Sequence, residues 1–261
     1  MALITLRHER HAAPAGARPG DRPLYAIGDI HGCYDHLHAL LAWVARDAGE
    51  RSPGVAPVLV LLGDYVDRGP DSAKVLAALA WLARSSAITA RLLEGNHEAM
   101  FRLFMERPAM HGQWLRYGGS ETLRSYGVAP PEHEEEADGG VLTALRDRLF
   151  DAMPVAHYRL LERLEPMVRV GDYTFVHAGV RPGVSLRAQE RDDLLWIRDE
   201  FLDHPRPAET IVVHGHTWAN ERAVLLPYRI GLDTGAYETG VLSALRIDAE
   251  GLAIVQAVAA G

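Results

Sequence analysis

Val58-Leu59-Val60-Leu61-Leu62-Gly63-Asp64-Tyr65-Val66-Asp67-Arg68-Gly69-Pro70-Asp71-Ser72-Ala73 is the stretch that decides the fold class. Five apolar residues make a short buried strand that stops at a glycine. Charged residues then fill a glycine-bounded loop. Pro70 and the N-cap candidates Asp71-Ser72 open a helix predicted over Ala73–Leu82. The same order occurs on both sides: Leu24–Ile27 before Gly28 and a helix over Leu37–Val44, and Ile88–Leu93 before Gly95 and a helix over Ala99–Met105. Strand, loop and helix repeated three times predict a parallel sheet with right-handed crossovers.

Farther along, Val168–Val176, Thr210–Val213, Tyr228–Leu232, Gly240–Ile247 and Leu252–Val258 read as strands with little helix beyond Asp193–Leu202. They predict a second sheet packed on the first, an α/β fold with four α/β/β/α layers and two mixed sheets. Trp114–Leu123 and Val141–Ala152 read as helices of a small cap over about residues 98–165. His133 and Glu134–Glu136 read as a solvated loop. Residues 23–261 are expected to be one domain, consistent with a chain of 261 residues. Residues 1–22 mix Ala, Pro, Gly and Arg and read as a flexible tail.

A formal net charge of −8 and no basic stripe argue against a nucleic-acid surface. Nothing approaches the ~18 apolar residues of a membrane span, and no signal sequence is legible at the start. Cys33 is the only cysteine, so no internal disulfide can form, and a reducing cytoplasm is the expected location.

Five runs carry metal-grade side chains at predicted strand ends: Gly28-Asp29-Ile30-His31-Gly32, the Gly63–Gly69 loop, Gly95-Asn96-His97-Glu98, His177-Ala178-Gly179 and His214-Gly215-His216-Thr217. Residues i and i+2 of a strand point to one side, so Asp29 and His31 can reach one ion. Adjacent parallel strands deliver their carboxyl ends to one edge, which brings in Asp64, and its two oxygens suit a bridge between ions. Asn96, His177 and His216 then supply a second ion. A mixed O/N shell suits Mn²⁺, Fe or Zn²⁺ better than Ca²⁺, with Mn²⁺ the expected metal, and the absence of thiolates argues against a structural zinc site. Two such ions about 3.5–4 Å apart lower the pKa of a water held between them and clamp phosphoryl oxygens. His214 is expected to sit behind the ligands or in the core, and Asp233-Thr234-Gly235 to be a strand-to-turn element near the site that acts structurally or supports the ligands. Trp43, Trp81, Trp114 and Trp196 are expected to be core or cap packing.

Together these motifs resemble the calcineurin-like metallophosphoesterase superfamily, and within it the phosphoprotein phosphatases acting on phosphoserine and phosphothreonine. The resemblance runs from about Leu24 to Ala244. It implies a metallophosphoesterase sandwich in which Asp29, His31 and Asp64 hold the first metal and Asp64, Asn96, His177 and His216 the second. It further implies that His97 is the general acid, that Asp67 orients it, and that Arg68 grips phosphate oxygens with Asn96 and His97. A second phosphate-binding arginine is expected at Arg198, with Arg181 as the alternative. Ala178 and the Gly215-His216-Thr217 ending make the chain similar to bacterial and phage members. The expected substrate is a phosphoprotein or phosphopeptide, phosphotyrosine included, attacked directly by a hydroxide bridging the metals. A related nucleotide group hydrolysing diadenosine tetraphosphate is the alternative, as is broad action on small phosphoesters. The intact Asp67-Arg68 pair and Glu98 favour the protein phosphatase.

Overall fold

The computed structural model describes residues 3–134, 137–206 and 208–259. Glu135 and Glu136 of the expected solvated loop lie outside them, as do Met1, Ala2, Ala260 and Gly261 of the expected boundaries. β2 (Leu24–Ile27), β3 (Val58–Leu61) and β4 (Thr89–Leu92) pair in parallel. Each leads into a helix: α1 (Tyr34–Arg51), α2 (Ser72–Leu82) and α3 (Asn96–Glu106). Asp71 does precede α2, but its carboxylate is engaged by Lys74 at 2.7 Å and makes no helix-cap bond.

The last two strands correct the expected sheet assignment. β10 (Val241–Asp248) pairs antiparallel with β2, and β11 (Gly251–Ala259) pairs with β10. Both therefore return to the first sheet. Its outer strand is β1 (Ile4–His11), in register with β11 from Ile4–Ala259 to His11–Leu252. The flexible-tail reading of residues 1–22 is thus wrong for this segment. Ile4 and Leu6 pack against the core, and β11 offers an edge of unpaired amides that a strand can satisfy. Arg7, Glu9 and Arg10, which follow Ile4 and Leu6, masked the alternation in a composition-based reading. The first sheet runs β1-β11-β10-β2-β3-β4.

The second sheet runs β5-β6-β7-β9-β8. The apolar run Val168–Val176 is a hairpin rather than one strand: β5 (Met167–Val170) and β6 (Tyr173–Val176) turn at Gly171-Asp172. β7 (Ile211–His214), β8 (Val224–Leu225) and β9 (Arg229–Gly231) complete it.

Period-two alternation builds the layers. Leu24, Ala26, Val58 and Val60 face Tyr173, Phe175, Ile211 and Val213 across the gap between the sheets. Tyr25, Ile27, Leu59 and Leu61 face Leu37, Leu40, Val75 and Leu79 of α1 and α2. On the far side Val176 and Val212 meet Leu194, Ile197 and Phe201. Those last residues belong to or flank α7 (Arg191–Trp196) and α8 (Asp199–Leu202), a helical stretch broken at Ile197-Arg198. The four-layer α/β/β/α order expected from the strand pattern is the observed one.

Between β4 and β5 the chain is helical: α3, a 3-10 turn at Gly112–Tyr117, α4 (Gly119–Ser125), α5 (Gly139–Ala152) and α6 (Val155–Leu161). Leu93 bridges to Glu165, so this excursion leaves and rejoins the body at one point. Trp43 and Trp114 are buried as expected, whereas Trp81 is 65% exposed and packs no core. No described helix is long and apolar enough to cross a membrane.

Deleting residues 1–11 should lower stability by about 2–4 kcal/mol, the burial of Ile4 and Leu6, and Tm by roughly 5–15 °C. Calorimetry checks this, and an unchanged Tm would mean that β1 contributes only alignment.

Candidate metal centre

The carboxyl ends of β2, β3, β4, β6 and β7 converge, and the predicted ligands follow them directly. Among the described residues, every non-glycine with positive φ lies here: His31 (43°), Asp64 (50°), Asp67 (71°), Arg68 (68°) and His216 (64°). Such conformations cost on the order of 1–3 kcal/mol each and persist only where surroundings over-determine them. Glu98 supplies much of that constraint. Its buried carboxylate accepts from the amides of Asp64 (2.8 Å), Tyr65 (2.7 Å), Val66 (3.2 Å) and Gly95 (3.0 Å). Close approach adds the rest: a Cβ at Gly95 would fall on the Asp64 carboxylate, and one at Gly215 on that of Asp29.

Asp64 belongs to two clusters whose donor atoms lie within 4.8 Å of one another, His31–Asp64–His97 and Asp64–His177–His216, the first joining candidate ligands to the candidate acid His97. Its Oδ2 lies 3.4 Å from His31 Nε2, and its Oδ1 lies 3.4 Å from His177 Nε2. Asn96 Oδ1 is 2.8 Å from His177 Nε2 and 3.0 Å from His216 Nδ1. The far nitrogens fix the tautomers. His31 Nδ1 donates to the Val66 carbonyl (3.0 Å) and His177 Nδ1 to that of Leu62 (2.8 Å), leaving both Nε2 lone pairs free. Asp29 accepts from the His216 amide at 2.8 Å through Oδ2, while its Oδ1 and His216 Nε2 are buried without a partner. Unpartnered buried acceptors beside a shared carboxylate fit a pair of divalent ions.

The electrostatics agree. Burial pushes His31 and His216 down to about 3 and lowers His177, so all three are neutral donors at neutral pH. Burial, with Asp233 and Asp64 beside it, raises Asp29 well above the carboxylate range, and burial raises Asp233 to about 7. Burial opposes ionisation of Asp64 too, but the surrounding His177, His97 and His31 hold it well below its ordinary value. Crowded buried carboxyl groups are relieved by a cation.

A second layer faces the substrate. His97 Nδ1 is 2.8 Å from Asp67 Oδ2, with both side chains buried. Burial works against the imidazolium, but Asp64 and the Asp67 hydrogen bond outweigh it, and the His97 value rises. Arg68 Nη2 lies 3.2 Å from His97 Nε2, and its guanidinium stacks 4.7 Å from the Tyr237 ring. A cavity of about 260 Å³ brings His31, Asp64, Arg68, Asn96, His97, Arg198 and His216 together. Arg181 does not reach it. Its guanidinium is tied to Asp193 (2.7 Å) and Glu200 (2.7 Å), which leaves Arg198 of the two arginine candidates. His214 stands apart, its Nε2 3.3 Å from Arg229 and its ring edge-on to Phe201.

Trp196 departs from the expectation, whereas Asp233 stands near the site as expected of its strand-to-turn element. Trp196 is 44% exposed and lines the cavity mouth with Tyr117 and Trp218, instead of packing a core. Asp233 is in the cavity wall beside Asp29. Its place directly after the β9 strand was the available signal, the same strand-end position that marks the other acids.

Metal binding at Asp29 requires its ionised form, and a cation there also favours ionisation of Asp233 beside it. Their folded values are raised, so apo stability is lost as pH rises from about 4 through about 7. The Tm gain on adding Mn²⁺ should therefore grow between about pH 5 and pH 8, and a pH-independent gain would contradict this ligand set.

The calcineurin-like phosphoesterase model matches residues 22–230. Serine/threonine-protein phosphatase 1 of Salmonella typhimurium is 30% identical over 232 residues, covering 87% of this chain and 92% of that protein. The asymmetrical bis(5′-nucleosyl)-tetraphosphatase PrpE of Bacillus mycoides is 24% identical over 237 residues, covering 84% and 88%. Among solved structures, a putative diadenosine tetraphosphatase superposes with a TM-score of 0.61 at 23% identity, over 97% of this chain and all of that one. With the family model spanning most of the chain and the metal-ligand geometry beneath it, the protein belongs to the calcineurin-like phosphoesterases.

Proposed function

We propose that this phosphoesterase removes phosphate from phosphoserine and phosphothreonine in proteins. The observation that carries the reading is the buried His97–Asp67 pair, 2.8 Å apart at the edge of the ligand cluster. An alkoxide is a poor leaving group and needs a proton as the P–O bond breaks, whereas a nucleotide departs as a stabilised phosphate anion. A built imidazolium is therefore most useful against alkyl phosphates.

In this reading Asp29, His31 and Asp64 hold one divalent ion and Asp64, Asn96, His177 and His216 the other, with Mn²⁺ as the expected metal. When bound, the ions supply an activated water and a clamp for phosphate oxygens. The chain's own residues do the rest. Arg68 and Arg198 offer guanidinium forks to the equatorial oxygens as charge spreads over them. A phosphate entering between Arg68 and His97 takes over their 3.2 Å contact, which frees Nε2 to face the leaving oxygen. Asp67 keeps the proton on Nδ1 and favours the charged ring.

Hydrolysis of dinucleoside polyphosphates is the second reading. Tyr117, Trp196 and Trp218 at the cavity mouth offer faces on which a base can stack, and relatives bear that name.

In Mn²⁺, a phosphoserine peptide should be turned over with a higher kcat/KM than diadenosine tetraphosphate, and the reverse order would establish the second reading. His97→Asn should lower kcat on alkyl phosphates by roughly 10²–10⁴-fold, and much less on p-nitrophenyl phosphate. Equal losses on both would remove His97 as the acid.

A further inference from the structure

Asp67 and Arg68 are two consecutive residues in the left-handed region, neither of them glycine. Within the loop, the Gly69 amide donates to the Asp67 carbonyl at 2.7 Å, and the Asp67 amide donates to Ser72 Oγ at 3.1 Å. The side chain of Asp67 is held from a stretch of the helical excursion 47 to 55 residues onward, the 3-10 turn Gly112–Tyr117 and α4. Trp114 Nε1 donates to Asp67 Oδ2 at 2.9 Å. Thr122 Oγ1 donates to Asp67 Oδ1 at 2.7 Å and accepts from the Asp67 amide at 2.9 Å. The Gly118 carbonyl accepts from the Arg68 amide at 3.1 Å. Gly118 itself has φ 102°, and a Cβ there would strike the Arg68 backbone.

Trp114 and Thr122 are both almost fully buried, and the Trp114 ring packs on Phe101 (5.3 Å) and Phe104 (4.7 Å) of α3. That helix carries Asn96 and His97 at its start. One indole therefore touches both the helix that bears the imidazole and the carboxylate that orients it.

We propose that Trp114 and Thr122 are positioning residues for leaving-group protonation, and that residues 112–125 form a clasp for the Asp67–Arg68 pair. A carboxylate can rotate about its χ2 and offer either oxygen along several directions. With Thr122 on Oδ1 and Trp114 on Oδ2, its plane is fixed, and one lone pair of Oδ2 remains for His97 Nδ1. The ring then keeps Nδ1–H on Asp67, and the imidazolium presents Nε2–H to the cavity. The Gly118–Arg68 bond fixes the guanidinium's starting point by the same stretch of chain. The proposal rests on His97 as the acid.

The test compares kcat and KM for an alkyl phosphopeptide and for p-nitrophenyl phosphate in Mn²⁺, with metal content measured alongside. Thr122→Val removes the hydroxyl at nearly constant volume, and Thr122→Ser restores it. Trp114→Phe removes only the indole N–H and part of the ring. Thr122→Val and Trp114→Phe should each lower kcat on the alkyl substrate by roughly 10–100-fold, part of what general acid catalysis supplies. The aryl substrate should change by no more than about 3-fold, with KM and metal content kept, and Thr122→Ser should recover most of the loss. Should Trp114→Phe fail to fold, the Thr122 pair carries the comparison. Equal losses on both substrates, no loss, or loss of metal in Thr122→Val would overturn the clasp. His97→Asn run in parallel separates the two claims. An alkyl-selective loss there without one in Thr122→Val refutes the clasp alone, and no selectivity in His97→Asn refutes the acid beneath it.

Discussion

The carboxylate of Asp64 is the group on which the rest of the site depends. Each of its oxygens faces a different imidazole at 3.4 Å, and Oδ1 also accepts from the His97 amide at 3.0 Å. A buried charge with so many obligations tolerates little displacement. The fold places it at the end of β3, between β2 and β4 in the parallel part of the first sheet. Glu98 then gathers the amides of the loop, so the position of one carboxylate is set by another across the start of α3. Burial, with Asp64 beside it, pushes Glu98 up to about 8, while its four amide donors act to keep it the acceptor that this arrangement requires.

The candidate ligands also come from both sheets. Asp29, His31, Asp64 and Asn96 follow strands of the first, and His177 and His216 follow strands of the second. Between the sheets lies an apolar layer of Leu24, Val58, Val60, Phe175, Val213 and Ile230. Burial of that layer sets how far apart the two sets of ligands stand, since stacked sheets settle at about 10 Å. The metal centre is accordingly a polar fastening at one end of a hydrophobic seam, and cation binding is coupled to the alignment of the two sheets.

Much of this was legible in the residues. The parallel βαβ units, and the convergence of the six candidate ligands with His97, Asp67 and Arg68, follow from short apolar runs ending in glycine-flanked acids and imidazoles. Such signals are local, so a single sequence carries them. What escaped was non-local. β1 becomes a strand because β11 offers an edge, and nothing in Ile4–His11 announces that partner. β10 and β11 return to the first sheet because β2 has a free side, which periodicity cannot reveal. Trp196 alone looks like core, and only the break after α7 turns it toward the cavity mouth. Arg181 stayed an alternative to Arg198 on the sequence alone. The acids Asp193 and Glu200 around Arg181 separate them in space.

The left-handed backbone at His31, Asp64, Asp67, Arg68 and His216 has an evolutionary side. At each of these positions glycine would relax the chain, so the residues that bear the chemistry are the ones the fold would most readily give up. Selection for thermal robustness alone would erode the site from within, leaving a sturdier sandwich with a blunted edge. The stability spent here must be held in reserve elsewhere, in the three apolar layers. Variants that thin those layers should make the strained loops the first part of the molecule to loosen.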